Sequence, residues 1–210
     1  MPLRRYLTGD FAAGTHQRAQ ARPSLTLLDA RRVAADLQKQ VTQRAGRLAS
    51  FRDEGEPVLC EMLGYDAWHA LRAFAADQQY PAAGFVFGPD SHRHPALARI
   101  WVGAKTRYPH LIRHHDNCGF YLPCDFPEPI GLASESGAKD ILVGSSQGLL
   151  RELTMLAAPL GMRLDQGEPG WTDQFHRNDP LEAPKIGFAF MRWVVRMSIQ
   201  SRMPVIFEGN

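Results

Sequence analysis

Residues 110–130 have the sequence HLIRHHDNCGFYLPCDFPEPI, the densest run of polar, titratable and aromatic residues in the chain. Two strand-like pieces, residues 110–114 and 120–122, flank the polar segment 116–119. Because the Asn and the Gly of this segment adopt positive φ readily, the segment is typical of a tight turn. The stretch therefore predicts a β-hairpin whose polar tip faces outward, and we expect any functional site at this tip.

Short strands are predicted on both sides of this hairpin. The segments 85–87, 98–102 and 141–143 are rich in β-branched or aromatic residues and are separated by Gly, Pro, Asp and Asn. Such spacing is typical of a meander of short strands. Residues 4–7 predict an additional edge strand, and residues 204–207 predict a terminal strand that returns to the sheet.

Helices are predicted where apolar residues recur at steps of three and four residues. They begin near the following residues, several of which are candidate N-caps: Thr26, Asp66, Ser145 or Ser146, and Glu182. The strand and helix patterns together favour an α+β fold, in which a mostly antiparallel sheet of short central strands is packed by amphipathic helices. Since no internal repeat or linker divides the chain, we expect one domain over residues 1–210.

The composition is that of an ordinary globular protein, with 44% hydrophobic residues, 22% charged residues and a formal net charge of +2. A nucleic-acid-binding domain usually carries a strongly basic face, so we do not expect nucleic acid as a partner. Three cysteines without a repeating spacing indicate reduced thiols rather than a disulfide framework.

No segment has the character of a signal peptide or a membrane span. The N-terminal residues lack the apolar core of a signal peptide. The most apolar long segment, 186–199, is interrupted by Arg192 and Arg196 and is shorter than the ~20 residues that a membrane span needs. We therefore expect a cytoplasmic protein without a membrane partner.

Metal binding is the first candidate chemistry, because imidazole and thiolate side chains are natural ligands of zinc. The residues that suggest it are His110, His114, His115, Cys118 and Cys124. Their spacing matches no closed zinc motif, and on a strand His115 would point away from His110 and His114. We therefore expect no metal and no cofactor.

Nucleophilic catalysis is the second candidate. Cys118 is close in sequence to His114, His115 and Asp116, which are groups of the kind that activate a thiol. No helix is predicted after Cys118, although nucleophilic cysteines often lie at a helix start. Residues 144–148 (GSSQG) have the outline of a nucleophile elbow, but without a predicted parallel sheet the pattern favours an ordinary serine cap.

Recognition of a partner is the third candidate, because aromatic residues and arginines dominate binding hot spots and are concentrated between residues 101 and 126. In a strand, Tyr121 would lie on the face opposite to Phe120 and Leu122, so we expect about half of this aromatic set at the surface. The residues predicted to bind a partner are Arg113, His114, His115, Asp116, Tyr121 and Asp125.

Three motifs in the C-terminal half carry a resemblance. They are H-x-D-x-x-G-F-Y-L-P-x-D-F-x-x-P-I at residues 114–130, V-G-S-S-x-x-L-L-x-E-L at residues 143–153, and a closing helix followed by P-V-I-F. Together they resemble a family of small bacterial proteins without an established activity. The resemblance implies a bacterial origin and a one-domain architecture, and by analogy with other small bacterial α+β proteins it suggests an immunity or accessory role.

These observations favour a bacterial protein-binding protein, namely an immunity protein that neutralises a toxin through the exposed side of residues 110–130. One alternative is a hydrolase or metal-binding protein that uses the cluster His114, His115, Asp116 and Cys118. Another is a structural or phage-derived oligomeric component, which would carry a large apolar interface between copies of the chain. The sequence therefore leaves a homo-oligomer open, and an enzyme is the less favoured class.

Overall fold

The computed structural model describes residues 2–7, 39–43, 59–114, 118–132, 141–164 and 179–209. Six strands lie within these ranges: β1 (Pro2–Leu7), β2 (Leu59–Gly64), β3 (Cys118–Leu122), β4 (Ile130–Leu132), β5 (Ile141–Ser145) and β6 (Val205–Gly209). They form one sheet in the order β2-β1-β6-β3-β5-β4.

Neighbouring strands of this sheet are antiparallel, with the exception of β3 and β5, which are parallel. Phe120 of β3 pairs with Val143 of β5 on one side and with Ile206 of β6 on the other. Strand β1 lies between β2 and β6, so it is an inner strand and not the edge strand that the sequence suggested. The predicted α+β class with a mostly antiparallel sheet is confirmed, with one parallel pair among the described strands.

Five α-helices with both ends in the described ranges accompany the sheet: α1 (Tyr65–Asp77), α2 (Pro95–Trp101), α3 (Pro109–Ile112), α4 (Ser146–Ala157) and α5 (Glu182–Ser201). A 3-10 helix spans Pro89–Arg93, and residues 39–43 are helical. The rest of the helix predicted from Thr26 lies outside the described residues. None of the helices in the described ranges is long and apolar enough to cross a membrane.

Local sequence signals set the start of α4 as expected. The Ser145 hydroxyl accepts the Gly148 N–H at 2.8 Å, which satisfies one of the amides that a helix start leaves free. Asp66, a candidate N-cap in the sequence, does not occupy the N-cap position. It lies in the first turn of α1, whereas Gly64 occupies the N-cap position and no side chain caps that helix.

Three predicted strands are wrong. Residues 85–87 have no regular structure, residues 98–102 lie mostly within α2, and residues 110–112 lie within α3. Proline at the first position of both helices provides the fixed φ that a helix start needs. The His94 ring also accepts the Ala96 N–H at 3.2 Å and so caps α2.

The largest helix contact of the core joins α1 and α5. Trp68, Leu71 and Phe188 are fully buried there. The helices approach closely at Gly187, where a Cβ atom would lie only 2.3 Å from the Ala67 carbonyl oxygen. Glycine is therefore required at this crossing because any side chain would collide with backbone.

Candidate functional site

The short helix α3 is held at both ends by two buried side chains, those of Glu152 and Arg72. Glu152 of α4, only 3% exposed, accepts the N–H groups of His110 and Leu111, each at 2.8 Å. At the other end Arg72 of α1 donates to the carbonyl oxygens of Ile112 (2.5 Å) and His114 (3.0 Å). Amides at a helix start need acceptors and carbonyls at a helix end favour a cation, so this arrangement stabilises the helical conformation.

The ring of His110 is engaged by backbone on both sides. Its Nδ1 accepts the Ser145 N–H at 3.1 Å, and its Nε2 therefore donates to the Phe126 carbonyl oxygen at 3.0 Å. The ring fills the space beside Gly148, where a Cβ atom would lie 2.4 Å from the His110 Cδ2 atom. His110 thus connects three segments of chain and is not available as a metal ligand.

His114 and Tyr121, two of the predicted binding residues, are fully buried. Their rings stack with centroids 4.1 Å apart. The His114 Nε2 lies 3.0 Å from the Phe120 carbonyl oxygen, and the Tyr121 hydroxyl donates to the His110 carbonyl oxygen at 2.6 Å. These contacts position the segment before β3 against the sheet, so neither side chain is presented to a partner.

Strand β3 is covered on both faces, because Phe120, Tyr121 and Leu122 are all buried. The expectation that alternation would expose about half of this aromatic set is therefore wrong at these positions. Alternation assigns side chains to two faces but does not tell whether one of them meets solvent. The predicted outward-facing hairpin does not form, since its first strand is α3 and its second is an inner strand of the sheet.

Arg113 and Asp125, the other predicted binding residues that the structure describes, reach the surface in ion pairs. Arg113 lies 3.4 Å from Glu128, and Asp125 lies 2.5 Å from Arg151. Both pairs connect a helical segment to the proline-rich loop 123–129. Surface pairs of this kind contribute between about 0 and 1 kcal/mol each, and their charges cancel. His115 and Asp116 lie outside the described residues.

The part of the chain that the structure describes contains no complete set of catalytic groups or metal ligands for the hydrolase or metal-binding alternative. No three His, Cys, Asp or Glu residues come together there in a way that could hold a metal ion. The Ser146 hydroxyl, the nucleophile in the outline of an elbow, is buried and lies 2.8 Å from the Ser198 hydroxyl. That serine connects α4 to α5.

Burial changes the pKa values of the two titratable groups around α3 in opposite directions. It raises the pKa of Glu152 from 4.5 to about 8, against the opposing effects of the two N–H donors and of Arg151. It lowers the pKa of His110 from 6.5 to about 4. Each shift favours the neutral form, because a charge is costly to remove from water.

We expect the free energy of unfolding to depend on pH through Glu152 and His110. Protonated Glu152 stabilises the fold fully below pH 4.5, and this contribution is lost as the pH rises to about 8. Neutral His110 stabilises the fold fully above pH 6.5, and this contribution is lost as the pH falls to about 4. The two effects oppose each other between pH 4.5 and 6.5, and between pH 6.5 and 8 only the loss from Glu152 remains.

Urea unfolding between pH 6.5 and 8 measures the loss of stability that Glu152 causes. The free energy of unfolding of the wild type should fall by up to about 1.4 kcal/mol per pH unit there. Glu152→Gln, which cannot ionise, should reduce this slope. Equal slopes in the two proteins would contradict the assignment to Glu152.

Sequence reasoning missed Glu152 and Arg72, although a signal for both is present. Glu152 falls on the apolar stripe of α4, between Leu149 and Leu153. Arg72 occupies the equivalent kind of position on α1, four residues after Trp68. A charged residue on an otherwise apolar helix face indicates a buried polar partner, because an unpaired buried charge is costly.

Exposed carboxylates are mostly neutralised on the described surface. Asp90, Asp125, Glu128 and Asp179 each lie within ion-pair distance of an arginine or a lysine, while Asp77 lies 3.1 Å from the ring of buried His94, whose pKa burial lowers. Two others, Asp66 in the first turn of α1 and Glu182 in the first turn of α5, make no ion pair with any residue in the described ranges. We refer to Asp66 and Glu182 as the acidic pair.

The acidic pair lies near the crossing of two packed helices. Gly187 of α5 contacts Ala67 of α1. Asp66 directly precedes Ala67, and Glu182 lies five residues before Gly187 on α5. Asp66 is exposed and Glu182 is partly exposed. These carboxylates are consequently available for an external cationic group.

The protein has an α+β architecture. Polar residues such as His110, His114 and Glu152 stabilise its interior, and the charges of the acidic pair at its surface are available for binding. The chain matches, over residues 3–207, the family described as "Putative DNA-mimic protein", and it belongs to that family. No curated protein and no solved structure matches it.

The family match corrects the functional prediction. An immunity protein that neutralises a toxin is wrong, because the family description concerns DNA mimicry. The match supports neither the hydrolase or metal-binding alternative nor the structural, phage-derived one. The resemblance to a family of small proteins agrees with the match at the level of family membership, and the match extends it from the C-terminal half to nearly the whole chain.

Proposed function

We propose that the protein binds a DNA-binding protein and occupies the surface that this partner uses for DNA. The observation that carries the proposal is the match of residues 3–207 to a family described by DNA mimicry. The partner is therefore a protein with a cationic DNA-contacting surface. A cytoplasmic location, where bacterial DNA is found, belongs to this proposal.

Charge sets a physical requirement on such a mimic. Duplex DNA carries one negative charge per ~1.7 Å of its axis, and its protein partners meet it with Lys and Arg. This chain has a net charge of +2, so its mimicry cannot depend on overall charge. It requires a local group of carboxylates that the chain's own cations do not neutralise. Among the described residues, the acidic pair has this property.

Competition with DNA is the experiment that tests the proposal. Immobilised protein is exposed to a nuclease-treated bacterial lysate, and retained proteins are eluted with duplex DNA at constant ionic strength. A partner that DNA releases, and whose affinity for DNA falls in proportion to added protein, supports the proposal. A partner that binds DNA and this protein simultaneously in a ternary complex contradicts it.

The acidic pair gives a sharper prediction. The double variant Asp66→Asn, Glu182→Gln should bind the partner about fivefold more weakly, because two exposed charge contacts together contribute on the order of 1 kcal/mol. The matched control is Asp90→Asn, Glu128→Gln, which removes the same charge from two carboxylates that are already paired. Titration calorimetry measures both. Equal weakening in the two variants would rule out a specific role for the acidic pair.

A further inference from the structure

The segment that follows β3 lies along α4 and is held there by side chains of that helix. Gln147 donates to the Pro123 carbonyl oxygen at 3.0 Å, and Arg151 pairs with Asp125 at 2.5 Å. Because Gln147 and Arg151 are four residues apart, they lie in one row on the surface of α4, and the segment follows that row. We refer to residues 124–129 as the strap.

The neighbouring row of α4 contains Gly148 and Glu152, which are also four residues apart. The His110 ring packs on Gly148, and the His110 N–H donates to Glu152. The same ring donates from Nε2 to the carbonyl oxygen of Phe126 in the strap, and the two ring centroids lie 5.6 Å apart. The strap therefore lies beside Glu152 and, through His110, takes part in enclosing it.

The strap is attached less firmly than α3. Leu111 and Ile112 of α3 are fully buried in the core, whereas Phe126 is the one buried side chain among residues 124–129. The strap also accepts the Ser145 hydroxyl at the Cys124 carbonyl oxygen, at 2.7 Å. Its two ion pairs with arginines lie at the surface, where such pairs contribute little. A segment with few buried apolar contacts is the kind that opens locally at low cost.

A charge on Glu152 would oppose the closed position of the strap. Burial makes the ionised form costly and Glu128 of the strap repels it, whereas Arg151 attracts it. Two other titratable groups that face Glu152 stay neutral between pH 6.5 and 8, because burial lowers the pKa of His110 to about 4 and raises the pKa of Tyr108 from 10. Movement of the strap admits water and takes Glu128 away, so both costs fall.

We propose that the strap is a pH-controlled element, closed over α4 while Glu152 keeps its proton and open, with α3 and α4 in place, when Glu152 ionises. Opening separates Asp125 from Arg151 and Glu128 from its arginine on the α3 side. The surface then gains two carboxylates without cation partners. The use of these carboxylates in DNA mimicry rests on the proposed function, whereas the opening itself does not.

NMR relaxation dispersion at the amides of the strap measures its open population. This population should rise about tenfold per pH unit between pH 6.5 and 8, because water that reaches Glu152 returns its pKa from about 8 towards 4.5. The nuclear Overhauser effect between the Phe126 and His110 rings should weaken in parallel. Protection factors of the His110 and Leu111 amides should stay constant, since α3 remains in place.

Two variants isolate the role of Glu152. Glu152→Gln, which cannot ionise, should have an open population that does not change with pH over this range. The matched control is Asp125→Asn, which removes one surface ion pair and leaves Glu152 intact. It should raise the open population by up to about fivefold at every pH and keep the wild-type dependence on pH.

Three results would overturn the proposal. They are an equal pH dependence in the wild type and Glu152→Gln, no dispersion in the wild-type strap at pH 8, and a loss of protection at His110 and Leu111 together with the strap contacts. Circular dichroism verifies that Glu152→Gln is folded, and the wild-type measurements decide the question if it is not. Since no partner is present, failure of this proposal is separate from failure of the proposed function.

Discussion

Replacement of Glu152 by Ala is expected to lower the free energy of unfolding by about 2–6 kcal/mol, because two buried amides lose their acceptor at a cost of about 1–3 kcal/mol each. The carboxyl group accepts the N–H groups of His110 and Leu111, both at 2.8 Å, and both residues are buried. The substitution leaves two amides without an acceptor in a place that solvent does not reach, and it opens a cavity beside α3. The start of α3 should loosen as a consequence.

Chemical denaturation measures this loss, and amide hydrogen exchange at His110 and Leu111 locates it. Glu128→Ala is the matched control, because Glu128 is 60% exposed and makes only a surface pair with Arg113. That control should cost less than about 1 kcal/mol. The role assigned to Glu152 would be wrong if its substitution cost no more than the control or if exchange at the two amides stayed unchanged.

Gly187→Ala is the second change with a large expected effect. The added Cβ atom would lie 2.3 Å from the Ala67 carbonyl oxygen and 3.0 Å from the Leu71 Cβ atom, so α1 and α5 would have to move apart. Overpacking typically costs about 1–3 kcal/mol, and a collision with backbone belongs at the upper end of that range. Replacing a helical glycine by alanine gains about 1 kcal/mol in helix propensity, which leaves a net loss of about 2 kcal/mol.

A glycine in open space provides the control for this prediction. Gly64 has no heavy atom within 4 Å of the position that its Cβ would occupy, and its φ of −59° suits any residue. Gly64→Ala should therefore leave the denaturation midpoint nearly unchanged. If Gly187→Ala were as stable as this control, the close crossing of α1 and α5 would not describe the protein in solution.

The site region shows why sequence reasoning succeeded for some elements and failed for others. The start of α4 was predictable, because the Ser145 hydroxyl satisfies an amide only three residues away. The conformation of residues 110–112 was not, because Glu152 and Arg72 lie about 40 positions away along the chain. A run of apolar and polar residues this short is compatible with strand or helix until such distant partners are known.

The expectation of an exposed polar hairpin at residues 110–130 failed for a related reason. Residues such as His114 and Tyr121 are polar and aromatic, and the same composition suits either a binding surface or a buried network. Burial decided between them, since both side chains are fully enclosed.

The sequence by itself determined the α+β class, the bounds of α4 and α5 to within a few residues, and the strand that follows α5, since these depend on periodicity and on caps between near neighbours. The tertiary structure decided that residues 110–112 are helical, that β3 is covered on both faces, and which charges reach solvent. Each of these outcomes depends on groups far apart in the chain that meet only when the sheet and its helices pack together.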